Sequence, residues 1–81
     1  MTATSVAEQI RARLRVRNGL PNPDERRRIR EAAGLSRREL ADAIGVTRQA
    51  VGHWETGARQ TPRGQLLDRY VAALRALQEA A

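Results

Sequence analysis

A single histidine, His53, and no cysteine leave this 81-residue sequence without the parts of a nucleophile–base pair or a thiolate metal site. No glycine-rich stretch has the spacing of a phosphate-cradling loop, so no cofactor, no metal and no enzymatic activity are expected. What the sequence holds in quantity is arginine. All fifteen basic side chains are arginine, against nine acidic ones, for a formal net charge of +6 and an isoelectric point near 11.6. That balance favours a polyanionic partner, either nucleic acid or an acidic membrane surface. An all-arginine composition also fits a GC-rich genome, so the charge alone discriminates little between partners.

The elements that must position these charges are helical by inventory. Phenylalanine is absent, and Trp54 and Tyr70 are the only aromatics, so the core has to be built from Leu, Ile, Val and Ala, which suits helix packing. A chain of this size buries only roughly 60% of the surface its unfolded form exposes, so the core is modest and single. No apolar run approaches the roughly 20 residues that span a bilayer, and no apolar block of signal-peptide type opens the sequence. A cytoplasmic location is expected.

Punctuation divides the chain. Ser5-Val6-Ala7-Glu8 fits a capping box and predicts a helix over 6–17 with Val6, Ile10 and Leu14 on one face and Asn18-Gly19 ending it through a positive φ. The alternation of Arg11, Arg13, Arg15 and Arg17 with Ala12, Leu14 and Val16 is also compatible with a strand or a disordered basic arm. Leu20-Pro21-Asn22-Pro23 is a stiff connector that sets an extension over 1–20 apart from a main body over 21–81. Asn22 caps a helix starting at Pro23 and ending before Gly34. A second capping box, Ser36 to Glu39, opens a helix through Ile44, and Gly45 turns the chain. Thr47 caps the next helix, which Gly57 closes. Thr61 and Pro62 are expected to start a long final helix with Leu66, Leu67, Tyr70, Val71, Leu74 and Leu77 on its apolar stripe. The fold class expected is all-α: a compact helical bundle containing a helix-turn-helix, with an extra N-terminal helix and a long C-terminal one. The triplet Arg26, Arg27 and Arg28 is expected on a solvated face.

Between Arg37 and Thr56, Leu40, Ala41, Ile44, Gly45, Val46, Val51 and Trp54 fill the places where a helix-turn-helix needs apolar or very small residues. Ala41 lets the second helix cross closely, Gly45 permits a left-handed turn, and the others interlock the two helices. Through Leu35-Ser36-Arg37-Arg38-Glu39-Leu40-Ala41, Gly45-Val46-Thr47-Arg48-Gln49 and Trp54-Glu55-Thr56-Gly57, the sequence resembles the Xre/Cro family of phage-repressor-like DNA-binding domains. The resemblance runs without a gap from Arg30 to Pro62, less than half of the chain. It departs from the family at both ends, in the extension and in one long final helix where two short ones are usual.

The resemblance implies that Arg48, Gln49 and His53 sit where family members touch base edges in the major groove, and that Arg30 and Glu55 form a structural salt bridge. Gln49 and His53 are four apart and share a helix face. Arg can be bidentate to guanine and Gln to adenine. Gly52 beside them costs about 1 kcal/mol of helix propensity relative to Ala, with clearance for the sugar-phosphate backbone as its expected benefit. Phosphate contacts are expected at the motif's ends, from Arg37, Thr47, Thr56, Arg59, Thr61 and Arg63. Leu74 and Leu77 exceed what a core of this size needs and are expected to supply a self-pairing surface. The reading is a sequence-specific regulator of transcription that binds double-stranded DNA, in its simplest form a small repressor bound as a homodimer to a palindromic operator. The alternative is an antitoxin or other interaction module that also binds DNA, with a protein partner on the extension or the final helix.

Overall fold

The computed structural model describes residues 3–57 and 61–80, and within them the chain forms five helices and no strand. They are α1 (Ala3–Asn18), α2 (Pro23–Ala32), α3 (Arg37–Ile44), α4 (Arg48–Thr56) and α5 (Gly64–Ala80). The central three start where their caps dictate. Asn22 Oδ1 accepts from the Glu25 N–H at 2.9 Å, with Pro23 at the first helical position and Asp24 and Glu25 in the first turn facing the helix dipole. Ser36 and Glu39 form the reciprocal box at 3.0 Å in both directions. Accepting the Ser36 N–H also holds the Glu39 carboxyl below its ordinary pKa. Thr47 Oγ1 accepts from the Ala50 N–H at 3.1 Å to open α4.

Gly45 makes the turn between α3 and α4 at φ 92 and ψ 36, a left-handed conformation that an L side chain resists. The tight wrap lets both the Gly45 and Val46 N–H groups reach the Ala41 carbonyl, at 2.8 and 3.0 Å. Ala41, 1% exposed, leaves the two helices room to close on each other. From α5, Arg69 reaches the Ile44 carbonyl at 3.4 Å, a cation placed at the negative end of α3.

One core joins α2, α3, α4 and α5 around Ile29, Leu40, Ala41, Ile44, Val51, Trp54, Tyr70, Leu74 and Leu77. Each large aliphatic chain withdrawn there contributes about 1.5–3 kcal/mol. Trp54 and Tyr70 lie ring to ring at 4.7 Å and 40°. α1 packs mainly on α5.

Several expectations need correction. α1 is a helix rather than a strand or arm, but it begins at Ala3, so Ser5 falls inside the first turn instead of capping it: Ala3 and Thr4 are helix-compatible, and nothing there breaks the turn. Its end does not use a positive φ. Gly19 sits in close quarters instead: a Cβ would meet the Arg15 and Val16 carbonyl oxygens at 3.3 and 3.4 Å and an Arg75 nitrogen at 3.1 Å, tighter than most side-chain contacts. α5 begins at Gly64 rather than at Thr61 or Pro62, since Pro62 disfavours helical geometry at Thr61 and Gly64 itself takes φ 59. Leu74 and Leu77 belong to the molecule's own core, 2% and 9% exposed, and are not a free self-pairing surface. Among the described residues the large apolar side chains left exposed are Val6, Ile10 and Leu14 on α1 and Leu66 on α5.

Candidate nucleic-acid interface

α4 divides cleanly between two environments. Val51 and Trp54 enter the core, and Glu55 is buried with them. Arg48, Gln49, His53 and Thr56 are exposed. Together with Ser36, Arg37 and Arg38 from the start of α3, and with Gly52, these residues line one open cleft that contains no acidic residue. The structure thus brings Arg48, Gln49 and His53 onto a single solvent face, with Arg37 beside them. Arg38 belongs to the same rim. Its signal in the sequence was its place one residue after Arg37, in the first turn of α3.

The orientation of α4 is fixed by Glu55, whose side chain is fully buried. Arg30 donates to it twice, from Nε to Oε2 at 2.7 Å and from Nη2 to Oε1 at 2.9 Å, and gives its remaining Nη1 to the Leu35 carbonyl at 2.8 Å. The Glu55 hydrogen bonds raise the Arg30 pKa against the cost of burial. Arg37 adds a third donor, Nε to Glu55 Oε1 at 3.1 Å. This bond gives Arg37 a role the sequence did not disclose: its Nε is held by Glu55, and its Nη1 lies 3.6 Å from where a Gly52 Cβ would stand. The open side of Gly52 is therefore occupied by the Arg37 guanidinium.

Arg26 is the residue most misjudged by sequence reasoning. Arg27 and Arg28 are exposed and pair within α2 with Glu31 and Glu25, as a solvated face should. Arg26, however, is 5% exposed, and its Nε and Nη1 donate to the Pro21 carbonyl at 2.6 Å and the Trp54 carbonyl at 2.9 Å. Burial lowers its pKa. It binds the connector before α2 to the last turn of α4. A signal was present, since Arg26 stands three and four residues before Ile29 and Arg30, on the inward stripe of α2.

The expected phosphate anchors fall into different places. Arg37 and Thr56 border the α4 cleft. Thr56 turns its hydroxyl onto the Gly52 carbonyl at 2.8 Å, and the Thr47 oxygen is engaged as a cap, so both meet a ligand with part of their capacity committed. Thr61 and Arg63 line a second cleft with Arg17, Leu20, Arg26 and Leu67. Arg59 lies outside the described residues. Among the described residues no group of three or more His, Cys, Asp or Glu side chains is placed to hold a metal, and no helix is long and apolar enough to cross a membrane.

A family model described as helix-turn-helix matches residues 27–78, well over half of the chain. No curated protein and no solved structure matches it.

Proposed function

This chain belongs to the helix-turn-helix DNA-binding family of the Xre/Cro type, and from that footing we propose that it is a sequence-specific transcriptional regulator, a small repressor that occupies a palindromic operator as a homodimer. The observation that carries the reading is the solvent face of α4. Arg48, Gln49 and His53 stand together on a helix that enters a groove by its N-terminal part, flanked by Arg37 and Arg38 and by no acidic residue. Arg48 and Gln49 read base edges, the guanidinium favouring guanine and the amide adenine, while His53 contacts a base or sugar one turn on. Arg37, Thr47, Thr56, Arg59, Thr61 and Arg63 contact phosphates and set the register.

Support for self-association comes from α1. Val6, Ile10 and Leu14, spaced four apart, are 44%, 53% and 47% exposed, an apolar stripe that a second copy can cover. The same stripe supports a second reading, in which a protein partner docks on α1 in the manner of an antitoxin. Co-purification with the product of a neighbouring gene separates the two. The direct test is selection of bound sites from random duplex DNA. A near-palindrome with half-sites about 34 Å apart is expected, bound with an affinity that falls steeply with salt. Failure to enrich any sequence, or affinity indifferent to salt, overturns the reading.

A further inference from the structure

A cleft of about 580 Å³ opens where the end of α1 meets the start of α5, lined by Arg17, Leu20, Arg26, Thr61, Pro62, Arg63, Gly64 and Leu67. Three of its side chains are guanidiniums, drawn from α1, α2 and the segment before α5, and none is acidic. Arg17 and Arg63 are exposed, and neither takes part in any ion pair among the described residues. Arg26 forms the inner wall and is committed to the Pro21 and Trp54 carbonyls. Through those two bonds the connector that follows α1 is tied to the last turn of α4, which fixes the inner wall of the cleft relative to α4.

We propose that this cleft seats a backbone phosphate of the bound duplex, held between Arg17 and Arg63, and that α1 thereby extends the DNA footprint past the helix-turn-helix. The inference rests on the DNA-binding reading and adds to it a contact made by the N-terminal extension. Two arginines that line one cleft and take part in no ion pair among the described residues suit an anion, and the oxygens of a phosphodiester can accept from both. Of the four arginines on α1, Arg17 is the one that lines the cleft. Arg15 lies two residues away, about 200° around the helix, and points to the other side. The contact carries no base information, so it strengthens binding to every sequence alike.

The test compares Arg17→Ala with Arg15→Ala in the full chain. The two remove the same charge from the same turn, and both sites are exposed, so folding is not at stake. Binding to a labelled random-sequence duplex of roughly 30 base pairs, about three helical turns, is titrated across salt concentrations. Arg17→Ala is expected to weaken binding about tenfold at low salt and to make the slope of log K against log salt shallower by about 0.9 for each bound chain, the share of one phosphate per chain. Arg15→Ala is expected to leave the slope unchanged. Ethylation interference on the selected operator should then lose one flanking phosphate per half-site with Arg17→Ala alone. If wild type binds steeply and the two variants shift the slope equally, or neither does, the clamp is overturned while the DNA reading stands. A wild type that binds no duplex overturns both.

Discussion

At the scale of single residues, the proposed division between arginines that read bases and arginines that hold phosphates predicts different losses. Arg48 is exposed and projects from the first turn of α4, so Arg48→Ala should relax preference at one base pair per half-site, a change of about 1–3 kcal/mol in discrimination seen in competition between operator variants. Arg37→Ala should weaken binding to all sequences together. It removes one of three donors to Glu55 but leaves both Arg30 bonds in place, so the melting temperature should move little. Equal effects of the two substitutions on every sequence would contradict this division. Tyr70 allows a cleaner measurement of what the core tolerates. Its hydroxyl is buried with no hydrogen-bond partner among the described residues, and burial pushes its pKa up to about 12 from an ordinary 10. A raised folded-state pKa contributes stability that is fully present below pH 10 and is lost as pH rises towards 12, because the unfolded chain releases its proton first. Tyr70→Phe keeps the ring against Trp54, removes the stranded hydroxyl, and should be neutral or stabilising at pH 7. Alkaline denaturation of the variant, followed by circular dichroism between pH 9 and 12, should begin later than that of wild type.

At the scale of elements, two glycines of the motif predict opposite responses to one substitution. Gly45 stands at φ 92, and a Cβ there meets only an Arg69 nitrogen at 3.8 Å, so Gly45→Ala pays torsional strain alone, about 1–2 kcal/mol. Gly52 has ordinary helical geometry and a nearest neighbour at 3.6 Å, so Gly52→Ala should gain about 1 kcal/mol of helix propensity. Thermal or urea denaturation of the pair should therefore move in opposite directions, and destabilisation by both would mean that Arg37 cannot yield. The three central helices were legible in the sequence because each start is encoded locally, by Asn22, Ser36 and Thr47, and each turn by one glycine or proline. The ends of the chain were not. Ser5 looked like a cap although the helix had already begun, and Pro62 looked like a first helical residue although the chain stays irregular to Gly64. Spacing put Gln49 and His53 on one face of α4 and the family resemblance added Arg48, whereas the Arg26 and Arg37 bonds cross 28 and 18 residues and depend on how helices pack. An arginine that satisfies backbone carbonyls inside a core has the same letter as one in water.

At the scale of the whole molecule, the distribution of apolar surface bears on the proposed homodimer. The molecule measures 44 × 25 × 20 Å, and the core formed by α2 to α5 takes in Leu74 and Leu77, which leaves α1 as the element with an open apolar stripe. A homodimer formed through that stripe would bring two α4 helices to one duplex, and a palindromic operator needs them about one helical turn, roughly 34 Å, apart. Ile10, 53% exposed at the middle of the stripe, is the residue whose replacement should separate association from folding. Ile10→Asp places a charge where the second copy would bury a methyl group, while in the single chain the site remains in water. Helical circular dichroism and melting should stay within about 0.5 kcal/mol of wild type. Sedimentation equilibrium should show wild type at twice the 9.0 kDa chain mass and the variant at one chain mass. Binding of the variant to a full palindrome should fall to the level of a half-site. A wild type that sediments as a single chain and binds full and half sites with the same affinity would remove the dimer and leave the stripe on α1 to a different protein.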